Sequence, residues 1–228
     1  MNKSLIQVKK LNKNFNNNKS VIKVLKNINL NLESGKLIAL TGPSGSGKST
    51  FLHLLALLDK PTNGEIVLLG KKTTNISEHD KNLVIRNNIS IIFQNNNLLS
   101  DFTSLENVAI PLLIRGNNYN YSIKRAEKIL SKINLGHRFN HLPSDLSGGE
   151  QQRVAIARSI ASDTSIILAD EPTGNLDEKT SEEVFSYFLK LKQKNKTILI
   201  ATHNRELAKK ADYTLRLSNG IIKRVNAK

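Results

Sequence analysis

Short apolar runs along the chain predict the strands of a buried parallel sheet. Residues 37–40, 165–169 and 197–202 are almost continuously apolar, and polar or charged residues follow each run. Because successive side chains of a strand point to opposite faces, such runs are typical of strands covered on both sides. Asn219-Gly220, between two short apolar runs, predicts a tight hairpin near the C-terminal end. The remaining strands are predicted at residues 4–8, 24–32, 64–70 and 89–93.

An alternating pattern in the N-terminal part predicts an antiparallel strand. In residues 24–32 the apolar side chains Ile28, Leu30 and Leu32 share one face, and asparagines occupy the other. A period of two with one polar face indicates a strand open to solvent on one side. The segment between the first two strands is rich in Asn and Lys and is predicted as a loop, in which Phe15 either packs beneath the loop or has a binding role.

Helical periodicity dominates the middle of the chain. Thr103 and Glu106 have the spacing of a capping box that opens a helix, and Pro111 is expected to break or kink this helix. Residues 122–133 carry an apolar stripe at helical spacing, whereas residues 83–88 are ambiguous. The predicted division is a helical subdomain at residues 95–162 within an α/β core formed by residues 1–94 and 163–228.

A glycine-rich segment follows the apolar run 37–40 and precedes an apolar helix predicted at residues 51–58. Its sequence fits G-x-x-x-x-G-K-S in the strand–loop–helix context that a phosphate-binding P-loop requires. Glycines let the backbone amides approach phosphate oxygens closely. We expect Lys48 to reach the β- and γ-phosphates and Ser49 to ligate Mg²⁺. The segment consists of Gly42, Pro43, Ser44, Gly45, Ser46, Gly47, Lys48, Ser49 and Thr50.

Polar side chains follow three of the other predicted strands. Asp170 and Glu171 come directly after residues 165–169, Gln94 follows the strand at 89–93, and His203 follows the run that ends at Thr202. The carboxyl ends of parallel strands are the usual ligand edge of such sheets. Asp170 is expected to hold the Mg²⁺ shell and Glu171 to face a water near the γ-phosphate. Gln94 could orient water or touch the metal.

The stretch Ser147-Gly148-Gly149 lies just before a helix predicted at residues 151–161. The first amides of a helix lack internal partners and the helix dipole is positive there, so this turn suits an anion. Taken alone, the same pattern also fits a plain loop.

Composition narrows the class of protein. There is no cysteine, which excludes disulfides and cysteine-based zinc sites. The N-terminus lacks the apolar core of a signal peptide, and the longest apolar runs fall short of the roughly 18 residues of a membrane span, so we expect a soluble intracellular chain. The net charge of +15 is compatible with binding to nucleic acid or to an anionic membrane surface. The lysines are scattered, however, and are accompanied by 28 asparagines. AT-rich codons supply both residue types, which favours gene composition as the origin of the charge.

The order of these motifs resembles that of ABC-transporter ATPase subunits over essentially the whole chain. The resemblance implies an α/β P-loop NTPase with a mixed, largely parallel core sheet, an N-terminal antiparallel β-subdomain and an inserted helical subdomain. It implies that ATP and Mg²⁺ bind, that Phe15 stacks on adenine where the family usually has Tyr, that Glu171 is the general base and that His203 contacts the γ-phosphate. Two copies would close head to tail, with residues 175–177, including Asp177, at the seam. Ser147, Gly148 and Gly149 of one copy would face the nucleotide on Lys48 of the other.

A narrower resemblance concerns what the ATPase drives. Residues 98–114 and 137–146 resemble the ATPase subunits of lipoprotein-releasing ABC systems, whereas residues 169–177 are shared with macrolide exporters and the cell-division ABC ATPase. Asn204 stands where Asp is usual and Glu150 where Gln is commoner. The narrower resemblance implies two integral membrane subunits and a position at the cytoplasmic face of the inner membrane. No nucleic acid is expected, because DNA-handling ABC ATPases usually carry a coiled-coil or cysteine-rich zinc insertion and this sequence has neither. Macrolide or peptide export, cell-division signalling, a DNA-handling ABC ATPase and a purely regulatory ATPase remain alternatives.

The apolar residues of the segment 98–115 allow two interpretations. They fit either a groove that contacts the membrane subunits or the core of the helical subdomain, and the core is predicted for most of them. These residues are Leu98, Leu99, Phe102, Leu105 and Leu112.

Overall fold

The computed structural model describes residues 4–17, 20–174 and 176–225. Its strands are β1 (Ser4–Asn17), β2 (Ser20–Glu33), β3 (Leu37–Thr41), β4 (Asn63–Leu68), β5 (Lys71–Lys72), β6 (Ile89–Ile92), β7 (Ile166–Asp170), β8 (Thr197–Ala201), β9 (Tyr213–Ser218) and β10 (Ile221–Val225). Its α-helices are α1 (Lys48–Leu55), α2 (Glu78–Asn88), α3 (Ser104–Ile114), α4 (Tyr119–Lys132), α5 (Gly148–Ala161), α6 (Glu178–Gln193) and α7 (Arg205–Lys209).

The larger sheet has the strand order β10-β9-β3-β8-β7-β6. All neighbouring pairs are parallel except β9–β10, which form the predicted hairpin. Asn219 and Gly220 have φ of 51° and 80°, as the two central residues of a type I′ turn require. Every residue of β7 and β8 is buried, which confirms the interpretation of the continuous apolar runs as covered strands.

The smaller sheet is antiparallel, with the order β2-β1-β4-β5. The predicted loop around Phe15 is wrong, because β1 continues for 14 residues and Phe15 pairs with Ile22 of β2. Polar runs do not exclude strand here, since register shifts interrupt the pairing and side chains fill the gaps. The amide oxygen of Asn12 accepts a hydrogen bond from the Asn27 backbone N–H at 2.9 Å, and that of Asn29 accepts one from the Lys10 N–H at 2.9 Å.

Helices α3, α4 and α5 lie between β6 and β7 in the chain and share one apolar core. The capping box at Thr103 and Glu106 is confirmed. Pro111 does not break α3, which continues to Ile114, and α4 begins at Tyr119, before the predicted residue 122. Of the apolar residues in 98–115, Leu98, Leu105 and Leu112 contribute to this core, whereas Leu99 and Phe102 are exposed.

Three further helices have polar N-caps. The ambiguous residues 83–88 belong to α2, which Ser77 caps by accepting the Asp80 backbone N–H. Helices α6 and α7 were not predicted, and Asp177 and Asn204 cap them. Within the part of the chain that the structure describes, no helix is both long and apolar enough to cross a bilayer.

Candidate active site

The P-loop connects β3 to α1. The helix begins at Lys48 and ends at Leu55, so the predicted start at residue 51 and end at 58 are wrong. Gly47, the N-cap, has φ of 100°, and a Cβ there would lie 2.6 Å from a methyl carbon of Val24. A Cβ on Gly42 would lie 2.3 Å from the Leu217 carbonyl oxygen. Both positions therefore require glycine, because a side chain would be strained and crowded.

The polar groups of the P-loop suit a phosphate. The Lys48 ammonium donates hydrogen bonds to the carbonyl oxygens of Gly42 and Pro43 at 3.0 and 3.1 Å, which folds it over the loop. The Ser46 hydroxyl is buried without a hydrogen-bond partner among the described residues. Pro43, Ser44, Gly45 and Ser49 are exposed. A positive side chain, an unsatisfied hydroxyl and the free amides of the first helical turn are the donors that phosphate oxygens accept.

A cleft of about 720 Å³ lies beside the P-loop. Gly42 and Pro43 form part of its wall, and Arg205, Lys209 and Arg216 line it. Three cations near the phosphate-binding loop create a positive potential that attracts a polyphosphate.

Glu171 is positioned by its backbone and by His203. It follows the last residue of β7 and has φ of 45°, which is uncommon for residues other than Gly and Asn. The Glu171 N–H donates to the Ala201 carbonyl oxygen at 2.9 Å, and one carboxylate oxygen of Glu171 lies 3.0 Å from Nδ1 of His203. Strand alternation therefore does not set the direction of this side chain, because Glu171 has already left the strand. Asp170 ends β7 and is buried.

Asn204 performs the local task of the more usual Asp. Its side-chain oxygen accepts hydrogen bonds from the backbone N–H groups of Glu206 and Leu207 at 3.0 and 3.1 Å. This N-cap fixes the start of α7 directly after His203. An amide oxygen caps a helix about as well as a carboxylate does, so the substitution preserves the loop that presents His203.

Gln94 lies in the turn after β6 and is exposed. The residue before it, Phe93, has its ring 6.2 Å from the ring of His53 on α1. On the other side, the Arg158 guanidinium of α5 donates hydrogen bonds to the carbonyl oxygens of Asn96 and Asn97. The Gln94 turn is thus held between α1, which begins at the P-loop, and α5.

Ser147 is the N-cap of α5, which begins at Gly148 and not at residue 151. Its hydroxyl oxygen accepts the Glu150 N–H at 3.3 Å, and the Glu150 carboxylate accepts the Ser147 N–H at 2.8 Å. Arg138 donates a further hydrogen bond to Glu150 at 2.8 Å. Burial alone would raise the pKa of Glu150, but the hydrogen bonds from Ser147 and Arg138 lower it to about 2. These hydrogen bonds hold the turn in place, and Ser147 itself is exposed.

The remaining predicted residues lie at exposed positions. Phe15 is 43% exposed, and the Lys13 ammonium lies 4.9 Å from its ring centroid. Asp177 caps α6 by accepting the Thr180 backbone N–H at 3.0 Å, and hydrogen bonds from Thr180 lower its pKa. Asn175, predicted to share the turn with Asp177, lies outside the described residues.

The structure brings the predicted residues together in two groups. The P-loop, Gln94, Glu171 and His203 follow β3, β6, β7 and β8, which are neighbours in the larger sheet, so these residues share its carboxyl edge. A second group surrounds Gly149, because a Cβ there would lie 3.6 Å from Leu176 and 3.8 Å from Thr180. The turn at the start of α5 and the turn before α6 therefore meet within one chain. Arg138 holds the Ser147 turn and Arg158 the Gln94 turn, and neither is predicted from the sequence, because a single arginine carries no motif signal.

Comparison with known proteins agrees with this arrangement. The family model described as "ABC transporter" matches residues 25–174. The chain is 47% identical over 224 residues to the lipoprotein-releasing system ATP-binding protein LolD of Rickettsia bellii, covering 97% of this chain and 99% of that protein. It is 40% identical to the LolD protein of Acinetobacter baylyi, covering 97% and 98%.

A solved structure extends the similarity to the whole fold. The dimeric post-hydrolysis state of the ATP-binding cassette MJ0796, bound to ADP and Pi, superposes with a TM-score of 0.93 at 37% identity, covering 98% of this chain and 99% of that one. The predicted α/β fold, with a mixed core sheet, an antiparallel sheet and inserted helices, is confirmed. The P-loop, the polar carboxyl edge of the sheet and the family match together show that this chain belongs to the ABC transporter family.

Proposed function

We propose that this chain is the ATP-hydrolysing subunit of an ABC transporter that releases lipoproteins from the inner membrane for transfer to the outer membrane. The observation that carries the lipoprotein assignment is the near-complete coverage at 47% identity with a LolD protein. The ATPase assignment rests additionally on the P-loop and on the Glu171–His203 pair at the sheet edge. In this proposal residues 95–162 are a helical subdomain within a core formed by 1–94 and 163–228.

The P-loop holds the triphosphate of ATP. The free backbone amides of the loop and of the first turn of α1 would donate to phosphate oxygens, whereas the Ser46 amide donates to the Pro43 carbonyl oxygen at 3.2 Å. Lys48 would exchange its two carbonyl acceptors for the β- and γ-phosphates. Phe15 stacks on adenine, for which its exposed ring is available. Ser49, Asp170 and Gln94 would hold Mg²⁺, and the ion would neutralise charge on the phosphate oxygens.

Glu171 acts as the general base for the attacking water. The carboxylate must accept a proton while it stays aimed at the water, and its contacts with His203 fix that direction. The His203 side chain is largely exposed, which leaves its Nε2 atom available to contact the γ-phosphate. Gln94 orients the same water from the neighbouring strand end.

Hydrolysis requires two copies of the chain in this proposal. The turn Ser147-Gly148-Gly149 is exposed or half-buried and presents a hydroxyl and helix amides outward, which suits a phosphate held by another molecule. Asp177 lies on the same face, since Gly149 adjoins the start of α6. A head-to-tail dimer would place each turn against the ATP on the partner's P-loop, consistent with the dimeric state of the MJ0796 cassette.

In this proposal, two integral membrane subunits would hold the chain at the cytoplasmic face of the inner membrane. Leu99 and Phe102 are 43% and 41% exposed beside the Gln94 turn, whereas their apolar neighbours are in the core. Exposed apolar side chains next to a nucleotide-sensing turn suit a membrane-subunit contact that transmits closure.

Reconstitution tests the proposal. The chain is co-expressed with candidate membrane subunits from the same genome, and the complex is placed in vesicles carrying a triacylated lipoprotein. We expect ATP-dependent release of the lipoprotein to a soluble acceptor, with no release from the Glu171→Gln complex. Association with exporter-type membrane subunits instead, or macrolide-stimulated turnover, would replace lipoprotein release by the alternative of drug or peptide export.

A further inference from the structure

Arg158 connects two segments that the proposed function assigns to different nucleotide sites. It lies on α5, the helix that begins after Ser147, and its Nη1 and Nη2 atoms donate to the carbonyl oxygens of Asn97 and Asn96 at 2.8 and 2.9 Å. These carbonyls lie two and three residues beyond Gln94. One guanidinium therefore spans the gap between α5 and the Gln94 turn.

The environment of Arg158 is unusual for a cation. Its guanidinium is buried enough that burial lowers its pKa, and no carboxylate pairs with it among residues 4–17, 20–174 and 176–225. Burying a charge is costly unless its donors are satisfied. The two carbonyl oxygens supply this compensation, and a planar fork with fixed donor directions fits two adjacent carbonyls better than a single ammonium does.

The backbone conformation of Asn96 and Asn97 directs their carbonyl oxygens toward Arg158. Asn96 and Asn97 have φ of 49° and 46°, so two successive residues adopt the left-handed conformation. That conformation is tolerated by Asn, and here it presents both carbonyl oxygens to Arg158. The Asn96 N–H in turn donates to the Phe93 carbonyl oxygen at 3.2 Å, which closes the turn around Gln94.

We propose that Arg158 is a positioning residue that couples the two ATP sites of the dimer by tying the Gln94 turn to the helix that carries Ser147. This inference rests on the proposed roles of Gln94 and Ser147. Arg158 lies eleven positions after Ser147, which is about 16 Å along a helix. A shift of Gln94 toward the nucleotide on its own P-loop pulls on α5 through Arg158, and α5 carries the turn that contacts the partner's nucleotide.

Steady-state kinetics of the reconstituted transporter test the coupling. R158M removes the fork and R158K keeps the charge but not the planar pair of donors, while R125M, at a half-buried arginine of α4, is the matched control. We expect R158M to keep ATP affinity within about twofold but to lower kcat roughly 10- to 100-fold, as a misplaced catalytic group does. The Hill coefficient for ATP should fall toward one, and R158K should recover only part of both parameters.

A double-mutant cycle separates positioning from general stability. If Arg158 acts through Gln94, the Q94A R158M double variant hydrolyses ATP no more slowly than Q94A alone. The inference would be overturned if the double variant lost kcat by the product of the two single-variant losses. It would also be overturned if R158M had the wild-type kcat and Hill coefficient. If R158M does not fold, the same cycle with R158K shows whether the kcat losses of the two single variants overlap or multiply in the double variant. Wild-type turnover of Q94A would instead refute the proposed role of Gln94, which separates the failure of that role from the failure of the coupling.

Discussion

The Nδ1 atom of His203 lies 3.0 Å from Oε2 of Glu171, and the His203 backbone N–H lies 3.3 Å from the same oxygen. Two nitrogen atoms of His203, which follows β8, thus converge on one carboxylate oxygen of Glu171, which follows β7. Glu171 itself holds a left-handed backbone conformation with φ of 45°. Such a strained backbone conformation persists only where surrounding contacts hold it. Here it directs the carboxylate of Glu171, the proposed general base, toward His203.

Replacing Glu171 by Gln tests the base assignment. Gln preserves the size and can accept the His203 hydrogen bonds, but its amide cannot take a proton from water. We expect normal ATP affinity, a stable ATP-bound dimer and a kcat lowered at least about 100-fold. Phosphate release and size-exclusion chromatography with ATP measure both properties. Glu178→Gln, at the exposed start of α6, is the control, and normal turnover of Glu171→Gln would exclude Glu171 as the base.

Replacing Lys48 by Ala tests the phosphate contact. The two P-loop carbonyls lose their shared donor and the phosphates lose the only lysine of the segment 42–50, so we expect ATP binding to weaken at least about tenfold. Isothermal titration with ATP measures the change. Lys71→Ala, an exposed lysine of β5, should bind as the wild type does. Unchanged affinity of Lys48→Ala would refute the assignment.

Ser147 is expected to act on the partner's nucleotide and not on its own. Ser147→Asp retains a good N-cap for α5 but places a negative charge where the γ-phosphate should dock. Monomer affinity for ATP should therefore be unchanged, while dimer closure and hydrolysis are lost. Ser147→Arg should have the same effect through bulk. Loss of ATP binding by the monomer in either variant would contradict the assignment between copies.

The stability of the α5 turn should depend on pH. The hydrogen bonds from Ser147 and Arg138 lower the Glu150 pKa to about 2 from its ordinary 4.5. A depressed carboxylate pKa stabilises the folded state above the unfolded pKa, and this stabilisation is lost as the pH falls from about 4.5 towards about 2. Urea unfolding should therefore show Glu150→Gln less stable at pH 6 and progressively closer to the wild type below pH 4.5. A difference that stays constant with pH would show that the charge contributes nothing.

Asp177 has two separable roles. As the N-cap of α6 it accepts the Thr180 N–H, so Asp177→Ala should lower the melting temperature by a few degrees. Asp177→Asn keeps a capping oxygen and should melt near the wild type. If the carboxylate also serves the dimer seam, Asp177→Asn hydrolyses ATP more slowly despite its normal stability. If Asp177→Asn matches the wild type in both activity and stability, capping of α6 is the only function of Asp177.

The parallel sheet and the polar residues at its carboxyl edge are predictable from sequence because their signals are local. Continuous apolar runs require burial on both faces, and the P-loop pattern carries its own strand–loop–helix context. Each polar residue that follows such a run falls at the carboxyl edge, so the sequence alone places Glu171 and His203 there. The contact between them is not predictable, because it depends on the left-handed backbone of Glu171.

The errors arise where tertiary pairing outweighs local pattern. Residues around Phe15 are polar and are predicted as a loop, yet β1 continues through them because β2 supplies a partner along its whole length. The predicted helix starts fall after the true ones at Lys48 and Gly148, since glycine next to a helix suggests a loop and not a first turn. The motif positions Asp177 and Asn204 are also the N-caps of α6 and α7, two helices absent from the predicted elements.

The left-handed backbone positions explain where part of the high asparagine content is located in the fold. Among the described residues, twelve non-glycine positions have positive φ, and seven of them are asparagines. Asn tolerates this conformation better than most residues, so it can replace glycine in such turns at little cost. A gene under pressure toward A and T bases could therefore accumulate Asn codons at these turns by mutation without losing the fold. These seven asparagines are Asn27, Asn75, Asn96, Asn97, Asn134, Asn195 and Asn219.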